Sequence, residues 1–197
     1  MARAETAAHK EDRRVKRTKK QLEKSLIQLL ETKPIQDITV RELTELADIN
    51  RGTFYLYYRD IFDMVSKVEE GYYERFVDLL DSHQEEPVYR QIEIFLEDLF
   101  CFIGENGQTC KVLLGEHGDI VFTQKLLNVV RERCLKSWEM TRGISETDFD
   151  YRYSFVTSGC IGIIRSWVER NCPEDARKMS KLAFSMIRQG SSESRAG

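Results

Sequence analysis

The sequence predicts an all-α protein, and three observations carry that prediction. Apolar residues recur at helical spacing in successive stretches along the chain. Only three prolines and eleven glycines interrupt 197 residues, while the good helix formers Glu, Lys, Leu and Arg are abundant. No stretch alternates apolar and polar residues for the length of a strand. An apolar content of 41% supports a sizeable core, in one large helical domain or a small domain attached to a larger one.

The first helix is expected over 16–32, where Leu22, Leu26, Leu29 and Leu30 fall on one face, and Pro34 prevents its continuation. A shorter helix follows in "ITVRELTELADI". Thr39 and Glu42 have the T-x-x-E spacing of a capping box, and Val40, Leu43, Leu46 and Ala47 give one apolar face. Asp48 and Ile49 make a break, and Asn50 is a good N-cap for a third helix that carries "NRGTFYLYYRD". A long helix is expected over roughly 60–82, with Ile61, Val65, Val68, Tyr72, Phe76 and Leu79 in register, ended by the polar "SHQEEP". Further helices are expected at 88–106, 121–140 and 147–170. A short one lies in "KVLLGEHGD", ending at Gly115 or Gly118. The last is "PEDARKMSKLAFSMI", with its proline in the first turn.

Charge is distributed unevenly. Residues 1–59 hold 13 Lys or Arg against 9 Asp or Glu, a net of +4, while the remainder carries −7. Arg13, Arg14, Lys16, Arg17, Lys19, Lys20 and Lys24 form a nearly continuous basic run. A basic block on an acidic body points to a polyanion-binding head. Residues 1–12 and 191–197 are expected to be disordered tails. The longest uncharged apolar runs, "LFCFIG" and "CIGII", fall far short of the ~20 residues of a membrane span. With no leader-like apolar stretch at its start, the chain is expected in the cytoplasm, with no membrane partner.

Two short helices two or three residues apart, beside a basic helix, form a helix-turn-helix arrangement whose second helix enters the major groove by its N-terminal residues. Arg51 suits guanine or a phosphate, Gly52 lets the backbone come close, and the Thr53 hydroxyl can bond a phosphate. Phe54 and Tyr58, four apart, share an inward face. Tyr55 and Tyr57 project elsewhere, with a hydroxyl for phosphate and a ring for a sugar or thymine methyl. Arg59 and the basic run around Arg17 flank this surface. Thr39, Arg41 and Asn50 complete the DNA-binding set.

The stretch "TVRELTELADINRGTFYLYYRDIFDMV", residues 39–65, resembles the DNA-binding head of TetR-family transcriptional regulators, running ungapped into the G-T-[FL]-Y-x-[HY]-[FY] signature. The likeness to the three-helix head and long connecting helix extends over 13–80. Two positions depart from it: Tyr57 stands where many members carry histidine, and Ile61 where many have a phosphate-binding lysine. That shifts part of the phosphate grip to Arg59, Tyr57 or the N-terminal basic run. The resemblance implies a DNA-binding domain over 13–60 and a helical ligand-binding and dimerisation domain over 61–190. It also implies repression at a palindromic double-stranded operator, released by a small-molecule effector.

"YSFVTSGCIGIIRSWVER" resembles a TetR-like branch with a G-x-x-G-x-x-x-x-W pattern. Gly159, Gly162 and Ser166 lie on one stripe where another helix can approach closely. An adjacent apolar stripe of Tyr153, Val156, Cys160, Ile163 and Trp167 exceeds what one core-facing surface requires. A homodimer through this helix and the last one, with Met179, Ala183 and Met186 facing the partner, uses both; intrachain packing of the glycines is the plainer alternative. Phe95, Phe102, Trp138 and Tyr153 are candidate walls of an effector pocket, although such aromatics are more often core than cavity.

Enzymatic chemistry finds no support. His9, His83 and His117 are scattered, "GEHGD" reads as a loop cap, no glycine loop cradles a phosphate, and no metal or cofactor set is present. Five cysteines without C-x-x-C spacing indicate neither a disulfide framework nor a zinc site. A thiol-redox regulator acting through Cys101, Cys110 or Cys134 is the alternative function, and a helical adaptor that does not bind DNA is a further one.

Overall fold

The computed structural model describes residues 2–82, 86–115, 119–139 and 145–191, with side chains described within 13–134 and 147–189 except Val88. Every regular element among them is helical: α1 (Ala2–Leu30), a 3-10 turn (Ile35–Asp37), α2 (Val40–Leu46), α3 (Arg51–Tyr55), α4 (Ile61–Asp81), α5 (Val88–Glu105), α6 (Gly107–Leu114), α7 (Ile120–Glu139), α8 (Glu146–Glu169) and α9 (Ala176–Ser191). The chain forms two compact units, Met1–Gly71 and Tyr72–Gly197, and the division falls inside α4.

In the first unit α1 begins well upstream of the expected helix start. It buries Leu22, Leu26, Ile27 and Leu29. The shared core takes Leu43 and Ala47 from α2, Phe54 from α3, Tyr58 from the next turn, and Ile61, Met64 and Val68 from α4. Leu22, Leu26, Leu43, Phe54 and Met64 are wholly buried, and each such side chain contributes roughly 1.5–3 kcal/mol of transfer free energy. Ile61 is therefore a core residue. Gln21 Nε2 donates to the Ala47 carbonyl at 2.6 Å and ties α1 to the end of α2.

The second unit is a bundle in which α5 packs chiefly on α9, and α8 packs on α6 and α9. Its core gathers Leu96, Leu99, Phe100, Ile103, Cys110, Ile164, Trp167, Val168, Met179 and Ala183. Phe100 and Trp167 meet with ring centroids 5.5 Å apart. The short middle helix starts at Gly107, earlier than expected, because Asn106 closes α5 and opens α6 at once. It ends at Gly115, where an added Cβ would collide with the Lys111 carbonyl; Gly118 and His117 lie outside the described residues. The last helix starts after Pro173. The Asp175 carboxylate accepts from the backbone N–H groups of Arg177 (3.0 Å) and Lys178 (3.2 Å), which makes it the cap. The proposed tail beyond 191 also lies outside the described residues. No described helix is long and apolar enough to cross a membrane.

Candidate nucleic-acid interface

Capping chemistry sets the start of each short helix in the first unit. The Thr39 hydroxyl accepts from the Glu42 N–H at 3.2 Å, and the Glu42 carboxylate is engaged by Lys33 Nζ at 2.5 Å. Asp48 adopts φ 51°, a left-handed turn that Asp tolerates better than most residues, and so reverses the chain between α2 and α3. Asn50 Oδ1 accepts from the Gly52 N–H at 2.7 Å. The amide oxygen of Asn50 thus serves the cap, and its NH2 is the group that can donate to an outside partner.

Around that cap the sequence-derived set separates by exposure. Arg17, Thr39, Arg41, Asn50, Arg51, Gly52, Tyr55 and Arg59 are exposed, and Thr53 and Tyr57 half-buried. Phe54 and Tyr58 pack inward with ring centroids 5.5 Å apart, and Tyr55 stands edge-on to Phe54 at 5.4 Å with half its surface in solvent. Arg41 pairs with Glu45 at 2.7 Å, an exposed contact that a phosphate can replace at small cost. The basic run reaches this surface through Lys19, whose Nζ lies 5.5 Å from the Tyr57 ring centroid. The contact belongs to Lys19, which the sequence reading left within the general basic run. An added Cβ at Gly52 meets only Asn50 Oδ1, at 3.1 Å. Gly52→Ala is therefore expected to change stability by less than about 1 kcal/mol. If backbone approach matters, the same variant weakens DNA binding about tenfold, ~1.4 kcal/mol, in a titration of labelled duplex.

Asp63 and Lys67, in the first two turns of α4, join the set. Asp60 caps α4 by accepting from the Asp63 N–H at 2.8 Å. The Asp63 carboxylate accepts from the Arg59 N–H at 3.0 Å, from Arg59 Nη2 at 3.2 Å and from Lys67 Nζ at 2.9 Å. Lys67 also donates to the Tyr57 carbonyl at 2.9 Å and sits 5.4 Å from the Tyr58 ring centroid. The Lys67 hydrogen bond, followed by the Arg59 N–H, holds the Asp63 carboxyl at about 2, so it remains ionised at ordinary pH. Burial, followed by Glu23 and Asp63, pushes the Tyr58 phenol up and keeps it neutral.

The second unit revises the other expectations. Met179 and Ala183 do not face outward: both are buried in the subunit's own core, because α9 turns that face onto α5. Gly159, Gly162, Ser166 and Met186 are exposed, and an added Cβ at either glycine meets nothing within 4 Å. Intrachain packing therefore places no demand for glycine there. Beside them runs an apolar groove of about 390 Å³ lined by Phe155, Val156, Gly159, Cys160, Ile163, Met186 and Ile187, with Ala183 and Gln189. Phe155 is 71% exposed and was missed in the sequence, where its i, i+4 spacing from Gly159 was its only mark.

The pocket candidates are placed against different elements. Phe95 and Phe102 pack on Phe76 (5.7 Å) and Tyr72 (5.5 Å) of α4. Tyr153 stacks on Phe149 at 5.9 Å, and its hydroxyl, pushed up to about 12 by burial first and Cys134 next, donates to the Leu127 carbonyl at 2.5 Å. The Trp138 side chain lies outside the described residues. No group of three or more potential metal ligands occurs among the described residues. Burial pushes the Cys110 thiol to about 12, and burial followed by Glu97 raises Cys101, which disfavours the thiolate that redox sensing needs. Cys134 is exposed.

Comparison with known proteins bears on the family and the fold. The model of the TetR_C_8 family, described as transcriptional regulator C-terminal region, matches residues 90–189. The uncharacterised HTH-type transcriptional regulator YxbF of Bacillus subtilis (strain 168) is 42% identical over 50 residues, which span 25% of this chain and 13% of YxbF. The fatty acid degradation regulator FadR from Bacillus halodurans superposes with a TM-score of 0.68 at 18% identity, over 86% of this chain and 94% of that one. A TetR-family regulator from Syntrophomonas wolfei gives 0.69 at 13% identity, over 88% and 94%.

Proposed function

The chain belongs to the TetR family of transcriptional regulators, and on that premise we propose that it binds a palindromic DNA operator as a cytoplasmic homodimer. In this reading residues 13–60 are the DNA-binding domain and 61–190 the dimerisation and effector domain. The protein acts as a repressor released by a small-molecule effector, and is a regulator rather than an enzyme. The observation that carries the reading is the head surface itself. Arg51, Gly52 and Tyr55 stand exposed on a five-residue helix that Phe54 anchors in the core, with Arg59 and Lys19 beside them.

That division of labour matches groove recognition. Side chains at the start of a short helix reach base edges, while the surrounding cations and hydroxyls fix its register on phosphates. The α8–α9 groove and the two unobstructed glycines support a close two-fold helix contact there. Two heads on a two-fold axis read two half-sites. An effector that favours the non-binding state by ~1–3 kcal/mol is sufficient for release.

The test is titration of the purified protein with duplexes from upstream of its own and neighbouring genes, across a salt series. Selective, salt-dependent binding is expected. Arg51→Ala is expected to cost about 1–3 kcal/mol and relax discrimination at one base position, whereas Tyr57→Ala weakens binding to all sequences alike. Unselective binding, equal in wild type and both variants, would remove the proposal.

A further inference from the structure

Resting on the DNA-binding reading above, we propose that Asp63 is a positioning residue for the DNA-facing segment 57–59, acting on Arg59 directly and on Tyr57 through Lys67. One carboxylate collects three donor groups: the Arg59 N–H at 3.0 Å, the Arg59 guanidinium through Nη2 at 3.2 Å and Nε at 3.3 Å, and Lys67 Nζ at 2.9 Å. Lys67 passes the constraint on to the Tyr57 carbonyl at 2.9 Å. The Asp63 side chain is only 10% exposed, while that of Arg59 is 85% exposed. The guanidinium is therefore held by its inner edge with the rest of its surface open to a phosphate.

A plain pair of i, i+4 contacts on a helix surface is worth a few tenths of a kcal/mol and sets no geometry beyond the helix. These contacts differ because two of them end on backbone groups outside α4, at Tyr57 and Arg59. The start of α4 does not need the Asp63 carboxylate, since Asp60 supplies the cap. An anion beneath a phosphate-binding surface opposes DNA by simple Coulomb repulsion. Positioning and repulsion therefore make opposite predictions for the loss of this charge.

Asp63→Asn keeps the shape, removes the charge, and leaves one acceptor where three donors converge. Binding to the operator duplex is expected to weaken about five- to tenfold, and the salt slope to fall by about one phosphate contact. Asp63→Glu, which restores the charge, recovers most of the affinity, and in an Arg59→Ala background the Asp63→Asn loss shrinks below about twofold. Equal or tighter binding by Asp63→Asn across the salt series overturns the proposal. Should that variant fail to melt cooperatively, Lys67→Met breaks the tether to Tyr57. Its effect must then shrink in a Tyr57→Ala background, and an undiminished loss there overturns the proposal as well. Absence of selective binding by the wild type removes the DNA-binding reading, and this inference with it.

Discussion

Phe155→Glu is expected to yield a monomer with an unchanged helical signal and an operator affinity lowered by more than about 100-fold. Phe155 is 71% exposed in the isolated subunit, so a carboxylate there stays solvated and folding is unaffected. In a dimer formed over the α8–α9 groove the same carboxylate is trapped among Val156, Ile163, Met186 and Ile187. An uncompensated charge buried in that setting costs about 3–5 kcal/mol, enough to dissociate a dimer of ordinary strength at micromolar concentration. A monomer keeps one head and loses the second half-site, which is where most of the operator affinity arises. Sedimentation at several concentrations, with the titration beside it, reads both effects. A variant that remains dimeric with full affinity would place the interface elsewhere.

Phe54→Ala and Tyr55→Ala, at adjacent positions, are expected to fail in different ways. Phe54 is wholly buried, with Tyr58 packed on it and α2 beside its helix, and its truncation costs about 3–5 kcal/mol. That is a large share of the ~5–15 kcal/mol that holds a domain folded. Tyr55 is 52% exposed, so its removal should cost under about 1 kcal/mol in stability, and its effect should fall on DNA affinity. Urea unfolding and duplex titration of the two variants separate the roles. Comparable stability losses would mean that Phe54 does not anchor α3 in the core.

Much of this was legible in the chain. Leu22, Leu26 and Leu29 announce the buried face of α1, Thr39 and Asn50 announce their helix starts, and the four-residue step from Phe54 to Tyr58 announces which rings turn inward. Those signals are local, because a cap or a helical stripe is decided within one or two turns. Asp63 and Lys67 were visible only as an ordinary helical pair. Their bonds to the backbone at Arg59 and Tyr57 depend on how the turn before α4 folds back. Asp175 was overlooked because Pro173 offered an equally good helix start, and the carboxylate reaching back to two N–H groups decided between them.

Local signals along the chain suffice for the helical class, for the basic head with its short third helix, and for more apolar surface on the last two helices than one core requires. Periodicity and capping fix these because both act through neighbours along the chain. Which apolar face goes where depends on packing between elements remote in sequence. Met179, Ala183 and Met186 share one helical spacing, yet Met179 is spent on the subunit's own core, Ala183 lies buried where that core meets the groove, and Met186 and Phe155 border the open groove. A repeat of 3.6 residues says that a face is apolar; what covers it is settled by the long-range packing of α5 and α8 on α9.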